Sequence, residues 1–119
     1  MKIRETILAK SNRRYMKVDV DGETFWICSL TEAERSQQEL TTFDHKTNKV
    51  DLKKLPEAKL KMLCLCLVEG EGGDRCFDPS EWKLLQDLDS RLVAKLYGAC
   101  LKHNGYEDDE VEDLVKNSE

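Results

Sequence analysis

The sequence predicts an α+β domain, mostly α, in which an N-terminal β-hairpin packs on a bundle of about five or six short helices. Alternating apolar and polar residues flank Asp21-Gly22, which predicts the hairpin. Apolar residues recur at helical spacing through most of the remaining chain. Hydrophobic residues make up 39% and charged residues 36% of the 119 positions, with only two prolines, which is typical of an ordered domain. A chain of this length has room for one core, so we expect residues 1–119 to form a single domain.

The hairpin is expected at about residues 15–29. Asp21-Gly22 suits a two-residue type I′ turn, because both central residues of that turn need positive φ. This turn pairs Val18 with Phe25 and Met16 with Ile27, on a face that we expect to belong to the core. The opposite face would hold Tyr15, Lys17, Trp26 and Cys28. Trp26 is then either covered by a helix or open to a partner, and the usual burial of large aromatic residues favours a covered position.

Local signals mark where the helices begin and end. Thr31 and Glu34 have the spacing of a capping box, and Pro56 stands in the first turn of an apolar helix. Asp78-Pro79 begins another helix, and Asn104-Gly105 ends the clearest amphipathic one. Residues 41–49 have no sustained period, so we expect a loop there. The predicted helices span about 32–41, 54–68, 79–87, 89–103 and 108–116, after a short one with Ile3, Ile7 and Leu8. The 89–103 helix should bury the stripe Leu92, Val93, Leu96, Tyr97, Cys100 and Leu101.

Charge and hydropathy exclude several classes of function. The net charge of −5 argues against sequence-independent binding to nucleic acid. The longest apolar run has seven residues, which is far below the length of a membrane-spanning helix, and the N-terminus lacks the pattern of a secretion signal. We therefore expect a cytoplasmic protein. Residues 1–17 carry six basic residues and one acid, whereas residues 107–119 carry seven acids and one lysine. Such ends either steer self-association or a charged partner, or are ordinary solvated faces.

The residue types that bind metals or catalyse reactions are present but poorly spaced. Five cysteines cannot form a complete set of intramolecular disulfides. Cys64 and Cys66 would project from opposite sides of a helix, and Cys100 with His103 has no second pair to complete a zinc site. We therefore expect reduced cysteines, with Cys64 and Cys66 in the core, and no metal, cofactor or catalytic residue. The glycine-rich stretch at residues 70–73 lacks the lysine of a phosphate loop and is flanked by acids.

The order of the segments resembles that of a known protein family. The hairpin ends in Phe25-Trp26-Ile27-Cys28-Ser29-Leu30-Thr31-Glu32-Ala33-Glu34-Arg35, and an apolar helix ends in Cys66-Leu67-Val68-Glu69. Then follow Gly70-Glu71-Gly72-Gly73-Asp74-Arg75-Cys76-Phe77-Asp78, Asn104-Gly105 and Val111-Glu112-Asp113-Leu114-Val115-Lys116-Asn117-Ser118. Over about residues 7–118 the chain resembles the tail assembly chaperone family of long-tailed (siphovirus-type) bacteriophages and prophages. The glycine loop is longer than is usual in that family.

The resemblance implies a non-structural chaperone in the host cytoplasm that is absent from the mature virion. Such a protein binds the tape measure protein, keeps it soluble and helps to recruit tail tube subunits around it. A chaperone of this kind needs exposed aromatic or apolar anchors, and Trp26, Phe77, Trp82 and Tyr106 are the candidates. Two alternatives stay open: a small cytoplasmic adaptor domain of phage or bacterial origin, and, less favoured, an enzyme with an unrecognised site.

Overall fold

The computed structural model describes residues 2–44, 46–47 and 49–106, and it confirms an α+β fold that is mostly α. Its strands are β1 (Tyr15–Val20), β2 (Glu23–Cys28), β3 (Phe43–Asp44), β4 (Lys49–Val50) and β5 (Leu67–Val68). Its α-helices are α1 (Lys2–Leu8), α2 (Glu32–Thr41), α3 (Leu55–Cys66) and α4 (Ser90–His103). Short 3₁₀ helices span Ala9–Ser11, Leu52–Lys54 and Pro79–Asp87, and the last of these is called the 3₁₀ segment below.

The hairpin has the turn and the register that the sequence predicts. Asp21 has φ of 51° and Gly22 has φ of 84°, and Val18 pairs with Phe25. The predicted assignment of the two faces is only partly right. Met16, expected in the core, is 37% exposed because it lies on the edge strand of the β1-β2-β5 sheet. Cys28, expected on the outer face, is 1% exposed because the end of α3 covers it, with the Cys28 thiol donating to the carbonyl of Leu65.

The predicted 54–68 helix is too long at its C-terminal end. Helix α3 begins with Pro56 in its first turn, as expected, but ends at Cys66. Leu67 and Val68 then form β5, which pairs antiparallel with β2 opposite Ile27 and Trp26. A continuous apolar run fits a buried strand as well as a buried helix, so periodicity could not show where one gives way to the other.

Two further elements differ from their predictions. Residues 41–49 were expected to be a loop, but β3 and β4 pair there through Phe43 with Val50 and Asp44 with Lys49. Strands of two residues are too short to produce an alternating pattern. The 3₁₀ segment has the predicted bounds, 79–87, but is not an α-helix. Residues three apart are eclipsed in a 3₁₀ helix, which places half-buried Trp82 in line with buried Leu85 and leaves Leu84 61% exposed.

The remaining helices follow the sequence closely. Helix α2 begins at the predicted capping box, with Thr31 as its N-cap. Asp89 caps α4, which ends at His103, with Asn104 as its C-cap before Gly105 at φ of 84°. Helix α1 forms as expected but buries none of its residues, and the predicted 108–116 helix lies outside the described residues. No helix in the described ranges has the length and apolar character needed to cross a membrane.

The core lies between α3, α4 and the hairpin. Of the predicted α4 stripe, Leu92 is half-buried and the other five residues are buried. The hairpin contributes Val20 and Ile27, and the 3₁₀ segment contributes Leu85. The largest fully buried side chains are Ile27, Met62, Leu63, Leu85, Leu96 and Leu101.

An ion network around Glu34 joins three parts of the chain. Arg13, which precedes the hairpin, donates to the Glu34 carboxylate at 2.6 and 2.9 Å. Arg75, which bridges to Val68, forms a second ion pair with Glu34, and the Thr31 amide donates to it at 2.9 Å. Burial alone would raise the pKa of Glu34, but the Arg13 and Thr31 hydrogen bonds and the two arginine charges hold it below its ordinary value. The Glu34 carboxylate is therefore charged at neutral pH, and both of its oxygens accept hydrogen bonds from these partners.

Leu96→Ala is predicted to lower the free energy of unfolding by about 2–5 kcal/mol, because Leu96 is only 2% exposed and its removal leaves a cavity. Urea denaturation measures this loss. Leu84→Ala, at a position that is 61% exposed, is the control and should change stability by less than about 0.5 kcal/mol. Equal effects of the two substitutions would show that the assigned core face is wrong.

Glu34→Gln is predicted to cost roughly 2–3 kcal/mol at pH 7, because it removes the partner of two arginines at a site only 14% exposed. A carboxylate whose folded pKa is depressed contributes stability above its unfolded pKa of about 4.3 and loses it as pH falls further. The difference between wild type and variant should therefore shrink below about pH 4. Exposed Glu39→Gln should cost less than about 1 kcal/mol, and a pH-independent difference for Glu34→Gln would contradict the charged network.

Candidate protein-binding groove

A groove of about 710 Å³ lies between α2, α3 and the 3₁₀ segment. Its apolar part consists of Ala33 from α2, Leu65 from α3, and Pro79 and Trp82 from the 3₁₀ segment, of which Leu65 is buried and Trp82 half-buried. Polar and charged side chains surround these four, and they are Glu34, Gln37, Gln38, Thr41, Lys61, Arg75, Ser80 and Lys83. The groove thus combines a small apolar centre with a polar margin, as protein-binding sites commonly do.

Buried polar contacts fix the elements that form the groove. The buried side-chain amide of Gln38 donates to the carbonyl of Ala58, which holds α2 against α3. The 3₁₀ segment begins at a capping box in which Asp78 accepts from the Ser80 amide at 2.9 Å and Glu81 accepts from the Asp78 amide at 2.8 Å. This start places Trp82 in the groove, where it also packs against the core. The aromatic ring is therefore held by the fold and needs little ordering on binding.

The groove is locally cationic although the whole chain is acidic. Lys61, Arg75 and Lys83 line it, against the single carboxylate of Glu34, which Arg75 and Arg13 already neutralise. Lys61 also pairs with Glu57 at 3.3 Å, outside the groove lining. The Lys83 ammonium lies 5.7 Å from the centre of the Trp82 ring. A ligand with apolar and acidic groups on the same side would match this arrangement.

A second, larger cavity of about 810 Å³ lies beside α4. Its apolar lining includes Leu60, Leu85 and Val93, which are buried core residues with little surface to offer a partner. None of its lining residues is aromatic, whereas aromatic side chains dominate the energetics of protein interfaces. We therefore take the groove containing Trp82 as the candidate site.

The four aromatic residues expected to anchor a partner do not lie together. Trp82 lines the groove, and Phe77, Trp26 and Tyr106 do not. Phe77 is half-buried against the core. Trp26 is half-buried on the hairpin with the Lys17 ammonium 5.3 Å from its ring, and Tyr106 lies under the Arg35 guanidinium at 4.4 Å. The sequence did not single out Ala33, Lys61, Arg75 or Lys83, because only the fold brings them to Trp82.

The cysteines are mostly core residues. Cys64 and Cys66 are buried, as predicted, with Cys28 and Cys100, and only Cys76 is exposed. Burial raises the pKa of the Cys64 thiol to about 11. The ring Nε2 of His103 lies 3.2 Å from the Arg14 carbonyl, far in sequence from α4. Within the described ranges, no three His, Cys, Asp or Glu side chains cluster as metal ligands would.

Cys76 is predicted to be the one thiol of the five that reacts with a thiol reagent in the folded protein, because the other four are buried. Partial burial and the nearby Glu69 carboxylate raise the pKa of Cys76, so less thiolate is present at pH 8 and its modification should be slower than that of free cysteine. A colorimetric thiol titration counts the reactive thiols in the folded protein and, with denaturant, in the unfolded protein. The Cys76→Ser variant should show no rapid reaction while it is folded. Several fast-reacting thiols in the folded chain would contradict this burial pattern.

Comparisons of this chain with protein-family models, curated proteins and solved structures gave no match. The function must therefore be inferred from the residues of the chain itself, from the groove that they form and from the segment order described above.

Proposed function

We propose that this chain is a non-catalytic chaperone of the tail assembly type, which binds amphipathic helical segments of a tape measure protein and helps to recruit tail tube subunits around it. The observation that carries the binding part is the groove, in which a fixed aromatic ring and an apolar centre are surrounded by cationic side chains. The resemblance in segment order supports the choice of client.

The lining of the groove suits one face of an amphipathic helix. An α-helix with its side chains is about 10–12 Å across and presents apolar residues at i, i+3, i+4 and i+7 to a groove. Trp82, which is half-buried, would contact such a stripe beside exposed Ala33. Acidic residues beside the stripe would meet Lys61 and Lys83, which remain in contact with solvent. A long helical client offers many copies of this pattern, so several chaperone molecules would bind along it.

Contacts of this kind favour reversible binding. Exposed lysines contribute little to affinity because their ion pairs stay solvated, and the fixed apolar centre is small. A chaperone that leaves before the assembly is complete needs such a rapid release, and affinity of this type is controlled mainly by the dissociation rate.

The potentially reactive groups of the described residues also suit a binding role. Burial raises the pKa of Cys64 and that of exposed Cys76, which disfavours the thiolate that a cysteine nucleophile needs. Neither cysteine lines the groove, and His103 lies against the Arg14 carbonyl. The groove itself has lysine, arginine and amide side chains around a neutralised glutamate, which is a set suited to recognition.

Co-expression with a tape measure protein is predicted to raise the soluble yield of that client, because covering its apolar stripes prevents self-association. The effect should follow the molar ratio of the two proteins and require no nucleotide, since the chaperone acts by occupancy. Quantitative gels of soluble and pelleted client measure it. A client whose solubility is unchanged by this protein would refute the chaperone proposal, and binding without a gain in solubility would favour an adaptor.

A groove-filling substitution tests where the client binds. Ala33→Trp places a large ring in the groove from an exposed position on α2, and it should abolish most of the gain in client solubility. Ser36→Trp adds the same ring to an exposed position on the same helix, outside the groove, and should retain the gain. Thermal denaturation confirms that both variants fold. Equal activity of the two variants would place the client elsewhere.

A further inference from the structure

We propose that two copies of this chain pair through β1, which joins their sheets into one continuous sheet. Strand β1 is an outer strand of the β1-β2-β5 sheet, so only one of its two edges is paired, and that edge pairs with β2. An edge strand of this kind offers backbone N–H and C=O groups to a further strand. The pairing does not involve the Trp82 groove, and it holds whether or not the chain binds a tape measure protein.

The register of the hairpin shows which backbone groups of β1 are free. The residues that flank a two-residue turn form a hydrogen-bonded pair, here Val20 with Glu23, and every second residue of β1 repeats this orientation. The Ser29 amide donates to the Arg14 carbonyl at 2.9 Å, in agreement with this alternation. The residues in between direct their N–H and C=O groups to the open edge, where no described residue forms a hydrogen bond with them. These residues are Tyr15, Lys17 and Asp19.

The charges on this edge select the register of the pair. Opposed residues of antiparallel strands exchange hydrogen bonds, so the outward-facing residues of one copy must oppose those of the other. Registers that set Lys17 against Lys17, or Asp19 against Asp19, bring like charges together. The register between these two places Val18 on the two-fold axis and Lys17 of each copy opposite Asp19 of the other. The edge is then complementary to itself, as a symmetric dimer requires, through side chains that are exposed in the single chain.

The other face of β1 gives the same register an apolar contact. Val18 opposes Val18 of the second copy, and Met16 opposes Val20. Met16 is exposed although it lies on the core-facing side of the hairpin, because the sheet ends beside it. A second copy would cover Met16 and continue the apolar layer from one molecule into the other, which removes apolar surface from water.

The surface of α4 beside this edge leaves room for a second copy. A cleft of about 670 Å³ lies between β1 and α4, and its apolar lining has the small residues Ala94, Gly98 and Ala99 beside Met16. The cleft also carries the positive charges of Arg14, Lys95 and Lys102, which repel those of the second copy. Lys95 pairs with Asp21 of its own chain at 3.8 Å. In the selected register, Asp21 of the second copy lies opposite Tyr15 and next to Arg14, which offsets part of this repulsion.

Charge-reversal variants of the full chain test the proposed register. Sedimentation velocity at protein concentrations up to about 1 mM measures dimer formation, with a reductant to prevent disulfides through exposed Cys76. Lys17→Asp or Asp19→Lys alone sets like charges against each other twice, and each should weaken the dimer roughly tenfold or more. An equimolar mixture of the two variants restores both pairs of opposite charges, so it should form a heterodimer as readily as the wild type forms its dimer.

Matched controls separate the register from the overall charge. Lys53→Asp and Asp87→Lys make the same changes at exposed positions outside β1, and each variant should dimerise like the wild type. Circular dichroism confirms that every variant is folded. A wild-type chain that stays monomeric throughout the concentration range would overturn the proposal, and so would a mixture of the two β1 variants that does not recover the dimer.

Hydrogen exchange measured by NMR locates the interface. The amides of Lys17 and Asp19 point to the open edge, so their exchange should slow as the protein concentration rises. The Val18 amide is already bonded to β2, and its exchange should change much less. A dimer that leaves the Lys17 and Asp19 amides unprotected would place the interface elsewhere and refute the pairing through β1. Because no client is present, these results leave the proposed client binding untouched, and the reverse also holds.

Discussion

The Glu34 carboxylate is the constraint on which the arrangement of the other elements depends. It is the third residue of α2, and it accepts from Arg13 before the hairpin, from Arg75 after β5 and from the amide of Thr31. Three segments distant in sequence therefore meet at one charge that is 14% exposed. Leaving any partner of such a partly buried charge unpaired is costly, so the network fixes α2 relative to the sheet.

The same network shapes the groove. Glu34 fixes the start of α2, and Arg75, held by its pair with Glu34, forms part of the groove lining. Gln38, one turn further along α2, fixes the distance to α3 through Ala58. Neutralising Glu34 within the fold leaves Lys61 and Lys83 to determine the local charge. An acidic protein thus presents a cationic groove, which would favour an acidic amphipathic helix over a basic one.

Features determined by neighbouring residues could be predicted from the sequence, whereas features determined by distant ones could not. The Asp21-Gly22 turn, the Thr31 and Asp78 capping boxes and the α4 stripe depend on spacings of a few residues, and all of them form. Strand β5 depends on pairing with β2 across some forty residues, and its apolar sequence also fits a helix. For the groove, Trp82 could be named as a large aromatic, but Lys61, Arg75 and Lys83 resemble ordinary surface cations until folding places them around it.

Hydrogen exchange of the full chain, with and without an excess of tape measure protein, tests the central claim that partners bind in the groove. The account predicts slower exchange for amides of α2 and of the 3₁₀ segment around Trp82, because a bound helix would cover and stiffen these elements. The amides of β1 and of α4, which do not line the groove, should exchange at unchanged rates. Protection confined to β1 and α4, with α2 and the 3₁₀ segment unchanged, would contradict it.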